Sequence, residues 1–251
     1  MLLRTDGLTK RFGEFTAVDD VDLAVERGEF RSVIGPNGAG KTTLFNLISG
    51  AMTPTAGSIT LGGRDLTDLA PAERVAAGLA RSFQLTTVFD GLPVRENVRL
   101  AAQAAAYDGL SRAQQLFSDP SRFDDVNRRT AAVLDDLGLT DVAETRASDL
   151  SYGDRRRLEV GLVLATDPEV VLLDEPTAGM GSDETDETIE LIREVLADRT
   201  VVLVEHNVDL VLRVSDRITT LGNGRVIATG TPEEIASDPD VQEAYLGGYT
   251  E

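Results

Sequence analysis

Short apolar runs alternate with stretches of helical periodicity along most of the chain. The runs Phe30–Ile34, 170–173 and Thr200–Val204 are mostly apolar and β-branched, which is typical of buried strands. Residues 41–49 and 183–197 have the spacing of helices. Strands and helices that alternate in this way predict an α/β fold with a mainly parallel sheet.

The N-terminal part of the chain has a different, strand-rich pattern. Residues 1–30 predict short strands with turns at Gly7, Gly13 and Gly28, because glycine is frequent where a chain turns. Proline and glycine residues between positions 54 and 63 predict a further small hairpin.

The middle of the chain, from about residue 94 to residue 164, changes to alanine-rich helix. One helical face there is apolar, and Gly138 follows it where a C-terminal stop is expected. Between the helices, residues 107–123 contain many turn-forming residues and predict a mobile loop. The apolar face consists of Val126, Val133, Leu134 and Leu137.

The last part of the chain returns to short strands near 217–229. The residues at 231–234, Thr-Pro-Glu-Glu, are those preferred at the start of a helix. The sequence has no internal repeat and no linker, so we expect the chain to form a single domain. We expect a core of residues 1–92 and 160–251, with a helical subdomain of residues 93–159 inserted in it.

The composition is that of a soluble globular protein, with 251 residues of which 41% are hydrophobic and 27% charged. No apolar run reaches the roughly 18 residues that a membrane span requires. The N-terminus lacks the features of a signal peptide, so we expect a cytoplasmic protein. The lack of cysteine excludes disulfides, thiolate catalysis and cysteine-ligated zinc.

The net charge of −19 changes the range of partners that can be expected. A field of that sign repels nucleic acid and anionic lipid, so we expect no nucleic-acid partner. Either an acidic partner-binding face or adaptation to a high-salt cytoplasm would explain the charge. The acidic residues are spread along the chain, which favours the second explanation.

A glycine-rich loop after the first apolar strand predicts a phosphate site. It fits G-x-x-x-x-G-K-[ST] and opens a predicted helix, so its backbone N–H groups and the helix dipole would bind an anion. Lys41, one of two lysines in the chain, would reach the β- and γ-phosphates, and Thr42 would ligate Mg²⁺. The loop consists of Gly35, Pro36, Asn37, Gly38, Ala39, Gly40, Lys41, Thr42 and Thr43.

Two carboxylates follow the apolar run 170–173. Ligands bind at the carboxyl ends of the strands of α/β sheets, and Asp174 and Glu175 occupy that position. Asp174 would hold the metal through water, and Glu175 would polarise an attacking water.

The sequence contains four further motifs in addition to the phosphate loop and the acidic pair. They read KRFG at 10–13, RSFQ at 81–84, LSYGDRRR at 150–157 and VEH at 204–206. In this order they resemble the ATP-binding subunits of ABC transporters, over essentially the whole chain. LSYGD stands where that family has its LSGGQ signature.

The resemblance implies ATP and Mg²⁺ as ligands and a role for each motif. Phe12 would stack on adenine, and Gln84 would contact Mg²⁺ or the attacking water. Ser151 and Gly153 of the signature would contact a γ-phosphate. His206, the only histidine, would contact the γ-phosphate and act in catalysis with Glu175.

The resemblance also implies the architecture and the partners. We expect a P-loop NTPase core with an N-terminal antiparallel β subdomain and an inserted α-helical subdomain. The subunit would act as a dimer with ATP at the interface, paired with itself or with a sister ATP-binding subunit. Transmembrane permease subunits would hold it on the inner face of the cell membrane, with residues 85–92 as the docking cleft.

A finer resemblance concerns the transported solute. The motifs, together with the C-terminal sequence from Gly230 to Gly247, resemble the LivG-type ATPases that drive import of branched-chain amino acids. Urea importers and lipopolysaccharide-export ATPases share some of these features and remain alternatives. A soluble ABC ATPase of DNA repair, or a regulatory module without hydrolysis, fits the residues less well.

Overall fold

The computed structural model describes residues 1–82, 88–107 and 121–246, which form two sheets and the helices packed around them. The strands are β1 (Leu3–Phe12), β2 (Phe15–Val25), β3 (Phe30–Ile34), β4 (Ala56–Leu61), β5 (Arg64–Asp65), β6 (Leu79–Ser82), β7 (Val170–Asp174), β8 (Thr200–Val204), β9 (Arg217–Gly222) and β10 (Arg225–Gly230). The helices are α1 (Lys41–Ile48), α2 (Pro71–Ala76), α3 (Val94–Tyr107), α4 (Ser121–Asp136), α5 (Tyr152–Leu164), α6 (Ser182–Val195), α7 (Val208–Val214), α8 (Pro232–Ser237) and α9 (Pro239–Leu246).

The N-terminal sheet is antiparallel, with the order β2-β1-β4-β5, as expected. Its first two strands are longer than the sequence predicted, and the predicted turn at Gly7 is wrong. β1 runs through Gly7, whose φ of 56° coincides with a shift of the strand register between Thr5 and Leu8. A glycine with positive φ serves a bulge as readily as a turn. Gly13 and Gly28 do lie at turns, one between β1 and β2 and the other before β3.

The larger sheet has the order β10-β9-β3-β8-β7-β6 and is parallel except for the pairing of β10 with β9. This confirms the mainly parallel core. Every residue of β8 is buried, as expected for a strand covered on both faces. β3, β8 and β7 are neighbours, so their carboxyl ends meet at one edge of the sheet.

Helices α3, α4 and α5 pack together beside this sheet. The apolar face predicted between Val126 and Leu137 is buried, and Gly138 ends the helix with a φ of 63°. Of the predicted loop 107–123, residues 108–120 lie outside the described part of the chain. Its first residue belongs to α3, and its last three begin α4.

The remaining helix predictions agree with the structure to within a few residues. Thr231 caps α8: its hydroxyl accepts the Glu234 N–H at 3.3 Å, and the Glu234 carboxylate accepts the Thr231 N–H at 2.8 Å. In the described residues, no helix combines the length and the apolar character needed to cross a bilayer.

Candidate active site

An open cavity of about 350 Å³ lies at the carboxyl edge of the parallel sheet. Three segments of the chain form its wall: the glycine-rich loop after β3, the residue after β7 and the segment after β8. A fourth contribution comes from β2. The lining residues are Phe15, Ala17, Asn37, Gly38, Ala39, Gly40, Lys41, Thr42, Thr43, Glu175 and His206.

Two glycines of the loop are required by close backbone contacts. A Cβ on Gly35 would lie 2.2 Å from the Leu221 carbonyl oxygen, and one on Gly40 would lie 2.5 Å from that of Ala17. Gly40 also has a φ of 102°, which strains any other residue. The loop thereby turns into α1 at Lys41, with the positive end of the helix dipole facing the cavity.

Lys41 is buried, and its ammonium group is held by its own loop. Nζ donates to the Gly35 carbonyl at 2.6 Å and to the Pro36 carbonyl at 3.0 Å. Burial lowers the pKa of Lys41 below its ordinary value, and the negative charge of Glu175 raises that pKa in part. A cation desolvated in this way interacts strongly with an anion that enters the cavity.

A buried arginine fixes the far end of α1, which the sequence did not reveal. Arg74 is 1% exposed, and its Nη1 donates to the carbonyls of Leu47 and Ile48 at 2.6 and 2.7 Å. Its other nitrogens donate to the carbonyls of Thr67 and Leu69 at 2.9 and 3.0 Å. A cation at a helix C-terminus satisfies the last carbonyls and stabilises the helix dipole.

Glu175 and His206 form a pair at the cavity. The His206 Nε2 and the Glu175 Oε1 are 2.8 Å apart. Glu175 adopts a left-handed φ of 48°, unusual for a residue other than glycine, and its N–H donates to the Val204 carbonyl at 2.9 Å. Backbone strain of this kind clusters at functional sites, so the geometry supports a functional carboxylate here.

A second carboxylate, which the sequence did not single out, joins the two segments that carry this pair. Glu205 is 5% exposed, and its Oε1 accepts both the N–H of Thr177 at 3.0 Å and its hydroxyl at 2.6 Å. Its Oε2 accepts the His206 N–H at 3.1 Å. Glu205 therefore holds the segment after Glu175 against the segment of His206.

Asp174 is not among the residues that line the cavity. It lies one residue before Glu175, and its Oδ2 accepts from the Arg81 Nη2 at 2.5 Å. Both side chains are largely buried, with 9% of Arg81 and 14% of Asp174 exposed.

The other predicted site residues lie in different places. Phe15, not Phe12, is the aromatic residue of the cavity wall. The two are paired across the β1–β2 hairpin, and the Lys10 ammonium lies 5.3 Å from the centroid of the Phe12 ring. Gln84 lies outside the described residues.

Ser151 and Gly153 stand at the start of α5, away from the wall of this cavity. The Ser151 hydroxyl accepts the Asp154 N–H at 3.1 Å and donates to the Asp154 carboxylate at 2.7 Å, so it caps the helix. Gly153 lines a separate cavity of about 380 Å³ between α5 and the glutamates of α6.

The comparison with known families agrees with this arrangement. Residues 18–178, which include the glycine-rich loop, Glu175 and the signature segment, match the family model described as ABC transporter. The chain belongs to the ABC transporter family. It is an ATP-binding subunit, of the kind that couples ATP hydrolysis to transport. A short second model, described as branched-chain amino acid ATP-binding cassette transporter, matches residues 225–250.

Relatives within the family match over nearly the full length. The chain is 42% identical to the high-affinity branched-chain amino acid transport ATP-binding protein LivG of Salmonella typhimurium, with 98% of each chain covered. It is 32% identical to the solved ADP conformation of MJ1267, an ATP-binding cassette of an ABC transporter, with a TM-score of 0.81 and 98% of each chain covered.

A third relative is a solved dimer. The post-hydrolysis state of the ATP-binding cassette MJ0796, bound to ADP and Pi, is 25% identical with a TM-score of 0.69 and covers 92% of this chain and 99% of its own.

The contacts of Glu205 predict a loss of stability in Glu205→Gln. One carboxylate oxygen would become an N–H₂ group facing a backbone donor, and a buried donor without an acceptor costs about 1–3 kcal/mol. We expect the free energy of unfolding, measured by urea titration, to fall by that amount. The exposed Glu243→Gln is the control, and equal stability of the two variants would contradict the assigned contacts.

Proposed function

We propose that this ABC subunit hydrolyses ATP at the cavity described above and thereby drives import of branched-chain amino acids. The Glu175–His206 pair beside the phosphate loop carries the assignment of the hydrolytic site. The solute is supported by the likeness to LivG over 98% of both chains and by the C-terminal match at 225–250.

In this proposal the loop at 35–43 cradles the phosphates of ATP. Its backbone N–H groups and the N-terminus of α1 face the anion, and Lys41 turns from the carbonyls of Gly35 and Pro36 toward the β- and γ-phosphates. The aromatic pair of the β1–β2 hairpin takes the adenine. Phe12 stands at the family position, and Phe15 forms part of the cavity wall.

The residues present fit Mg²⁺ that enters with the nucleotide. Mg²⁺ is usually held by one or two protein oxygens together with substrate phosphates, and Thr42 and Asp174 supply a hydroxyl and a carboxylate. The described residues hold no cluster of three or more histidine or acidic side chains that would cage a metal by itself. When bound, Mg²⁺ would neutralise charge on the phosphates. Gln84 is the further candidate ligand.

Glu175 is the proposed general base. Its carboxylate would accept a proton from the water that attacks the γ-phosphorus, as the bond to the ADP oxygen breaks and ADP and phosphate form. The His206 Nε2 lies 2.8 Å from the Oε1 of this carboxylate, and in this proposal it turns from Glu175 to hydrogen-bond the γ-phosphate when ATP binds.

The working unit is proposed to be a dimer of ATP-binding subunits. Ser151 and Gly153 lie outside the wall of the phosphate cavity of their own chain, so a second subunit would have to bring its signature to the γ-phosphate. The dimeric state of the MJ0796 cassette supports this arrangement. ATP that contacts both subunits would favour the closed dimer, and hydrolysis would release it.

The permease is proposed to dock beside the helical subdomain, residues 93–159, and to hold the subunit on the inner face of the membrane. Phe89 is 53% exposed. The buried Asn97 fixes its backbone: the Asn97 Oδ1 accepts the Phe89 N–H at 2.8 Å, and Nδ2 donates to the Phe89 carbonyl at 3.1 Å. An anchored segment that presents an exposed aromatic ring suits the binding of an apolar helix.

Glu175→Gln tests the hydrolytic site. The amide keeps the shape of the side chain but cannot accept the proton, and loss of a general base costs about 10²–10⁴ in rate. We expect phosphate release to fall by that factor while ATP still binds, and light scattering to show a dimer with ATP. The exposed Glu243→Gln should hydrolyse ATP like wild type, and wild-type turnover in Glu175→Gln would rule out Glu175 as the base.

Phe89→Asp tests the docking surface. A charge placed where a permease helix buries apolar surface should weaken co-purification with the permease, whereas ATP hydrolysis by the isolated subunit should persist. Both are measured on the same preparation. If the variant co-purifies with the permease as well as the wild type does, the docking surface lies elsewhere. If the variant loses both co-purification and ATP hydrolysis, the subunit is misfolded.

The solute is tested with the reconstituted transporter. We expect ATP-dependent uptake of labelled leucine, isoleucine or valine into vesicles, with unlabelled urea unable to compete. Uptake of urea in place of these amino acids, or export of lipid, would contradict the proposed solute and leave the hydrolytic site unaffected.

A further inference from the structure

Arg81 occupies a buried position that joins three parts of the site. It lies near the end of β6, and its Nη2 donates to the Asp174 Oδ2 at 2.5 Å. Its Nη1 donates to the Asn46 Oδ1 at 2.7 Å and to the Ser49 Oγ at 3.1 Å. The guanidinium carbon lies 6.0 Å from the centroid of the Phe45 ring.

These contacts fix the orientation of the guanidinium group. Phe45 and Asn46 belong to α1 and Ser49 is its C-cap, so the helix that begins at Lys41 also holds Arg81. A planar guanidinium with several directed donors fixes the orientation of its partner better than a point charge does. The Asp174 carboxylate is therefore held through Oδ2 in one orientation.

We propose that Arg81 is a positioning residue for metal binding: by holding Oδ2 of Asp174, it keeps that carboxylate in one orientation and would leave Oδ1 for the Mg²⁺ that accompanies ATP. The inference rests on the proposed metal role of Asp174. Groups that orient a metal-binding carboxylate typically change metal affinity about 10–100-fold when they are removed.

Arg81 also joins the strand that carries it, β6, to the strand that carries Asp174, β7. β6 pairs in parallel with β7, which ends at Asp174, and Arg81 precedes Gln84 by three residues. A purely structural ion pair would tie the two strands equally well, so the test must separate positioning from stability.

The experiment measures binding of a fluorescent, non-hydrolysable ATP analogue to the full chain, first in EDTA and then over a Mg²⁺ titration. Thermal unfolding is recorded alongside. For Arg81→Ala we expect unchanged affinity in EDTA, because the phosphate loop is intact, and a Mg²⁺ midpoint raised about tenfold or more. Arg81→Lys, which restores the charge without the planar fork, should lie between Arg81→Ala and wild type.

Arg31→Ala is the matched control. Arg31 forms a buried pair with Glu29, with 4% and 7% of the side chains exposed, and that pair is built into β3 and the turn before it. Its removal should lower the unfolding temperature and leave the Mg²⁺ midpoint at the wild-type value.

The outcomes are distinct. A Mg²⁺ midpoint unchanged in a folded Arg81 variant, with a loss of stability like that of Arg31→Ala, would overturn the inference and leave the proposed function intact. If Arg81→Ala does not fold, the Mg²⁺ midpoint of Arg81→Lys is used instead: a raised midpoint supports the inference, and a wild-type midpoint overturns it. A wild-type protein whose nucleotide affinity ignores Mg²⁺ would overturn both the metal assignment and this inference.

Discussion

The parallel pairing of β8 with β3 on one side and β7 on the other is the constraint on which the site depends. Because parallel strands end at the same edge, the phosphate loop, Glu175 and His206 come together although they are far apart in the chain. The buried apolar residues of these strands stabilise that pairing. The polar contacts at the edge then refine an arrangement that the sheet has already brought within reach.

The charges at this edge of the sheet matter because the whole chain and its expected substrate are both negatively charged. The chain carries a net charge of −19, and its expected substrate is a polyanion. At the cavity the charges are locally balanced: the wall holds one buried ammonium, that of Lys41, and one carboxylate, that of Glu175, and the N-terminus of α1 adds the positive end of its dipole. The groups nearest to a bound phosphate interact with it most strongly, whereas salt screens the field of the more distant acidic residues on the surface.

Sequence reasoning placed what depends on short motifs and missed what depends on distant partners. The parallel core and the loop at 35–43 follow from local patterns of the sequence. The order of the strands in the folded sheet then brings His206 beside Glu175. Arg74, Arg81 and Glu205 were not foreseen, because their partners are backbone carbonyls and side chains on other elements. Arginine and glutamate in a charged sequence give no local signal that they will be buried.

One smaller error has an equally physical cause. Gly7 was expected at a turn, but positive φ also suits a bulge inside a strand. The prediction for Phe12 stays open: Phe12 and Phe15 are paired on one hairpin, and the fold adds that Phe15 forms part of the cavity wall.

The most direct measurement is a crystal structure of the protein with a non-hydrolysable ATP analogue. The structure of the cavity predicts the phosphates on the N–H groups of residues 37–43, with Lys41 Nζ within hydrogen-bond distance of a β- or γ-phosphate oxygen and Glu175 beside the γ-phosphate. A nucleotide bound elsewhere on the chain, or a bound nucleotide with Lys41 Nζ out of reach of its phosphates, would contradict the assignment of this edge as the ATP site.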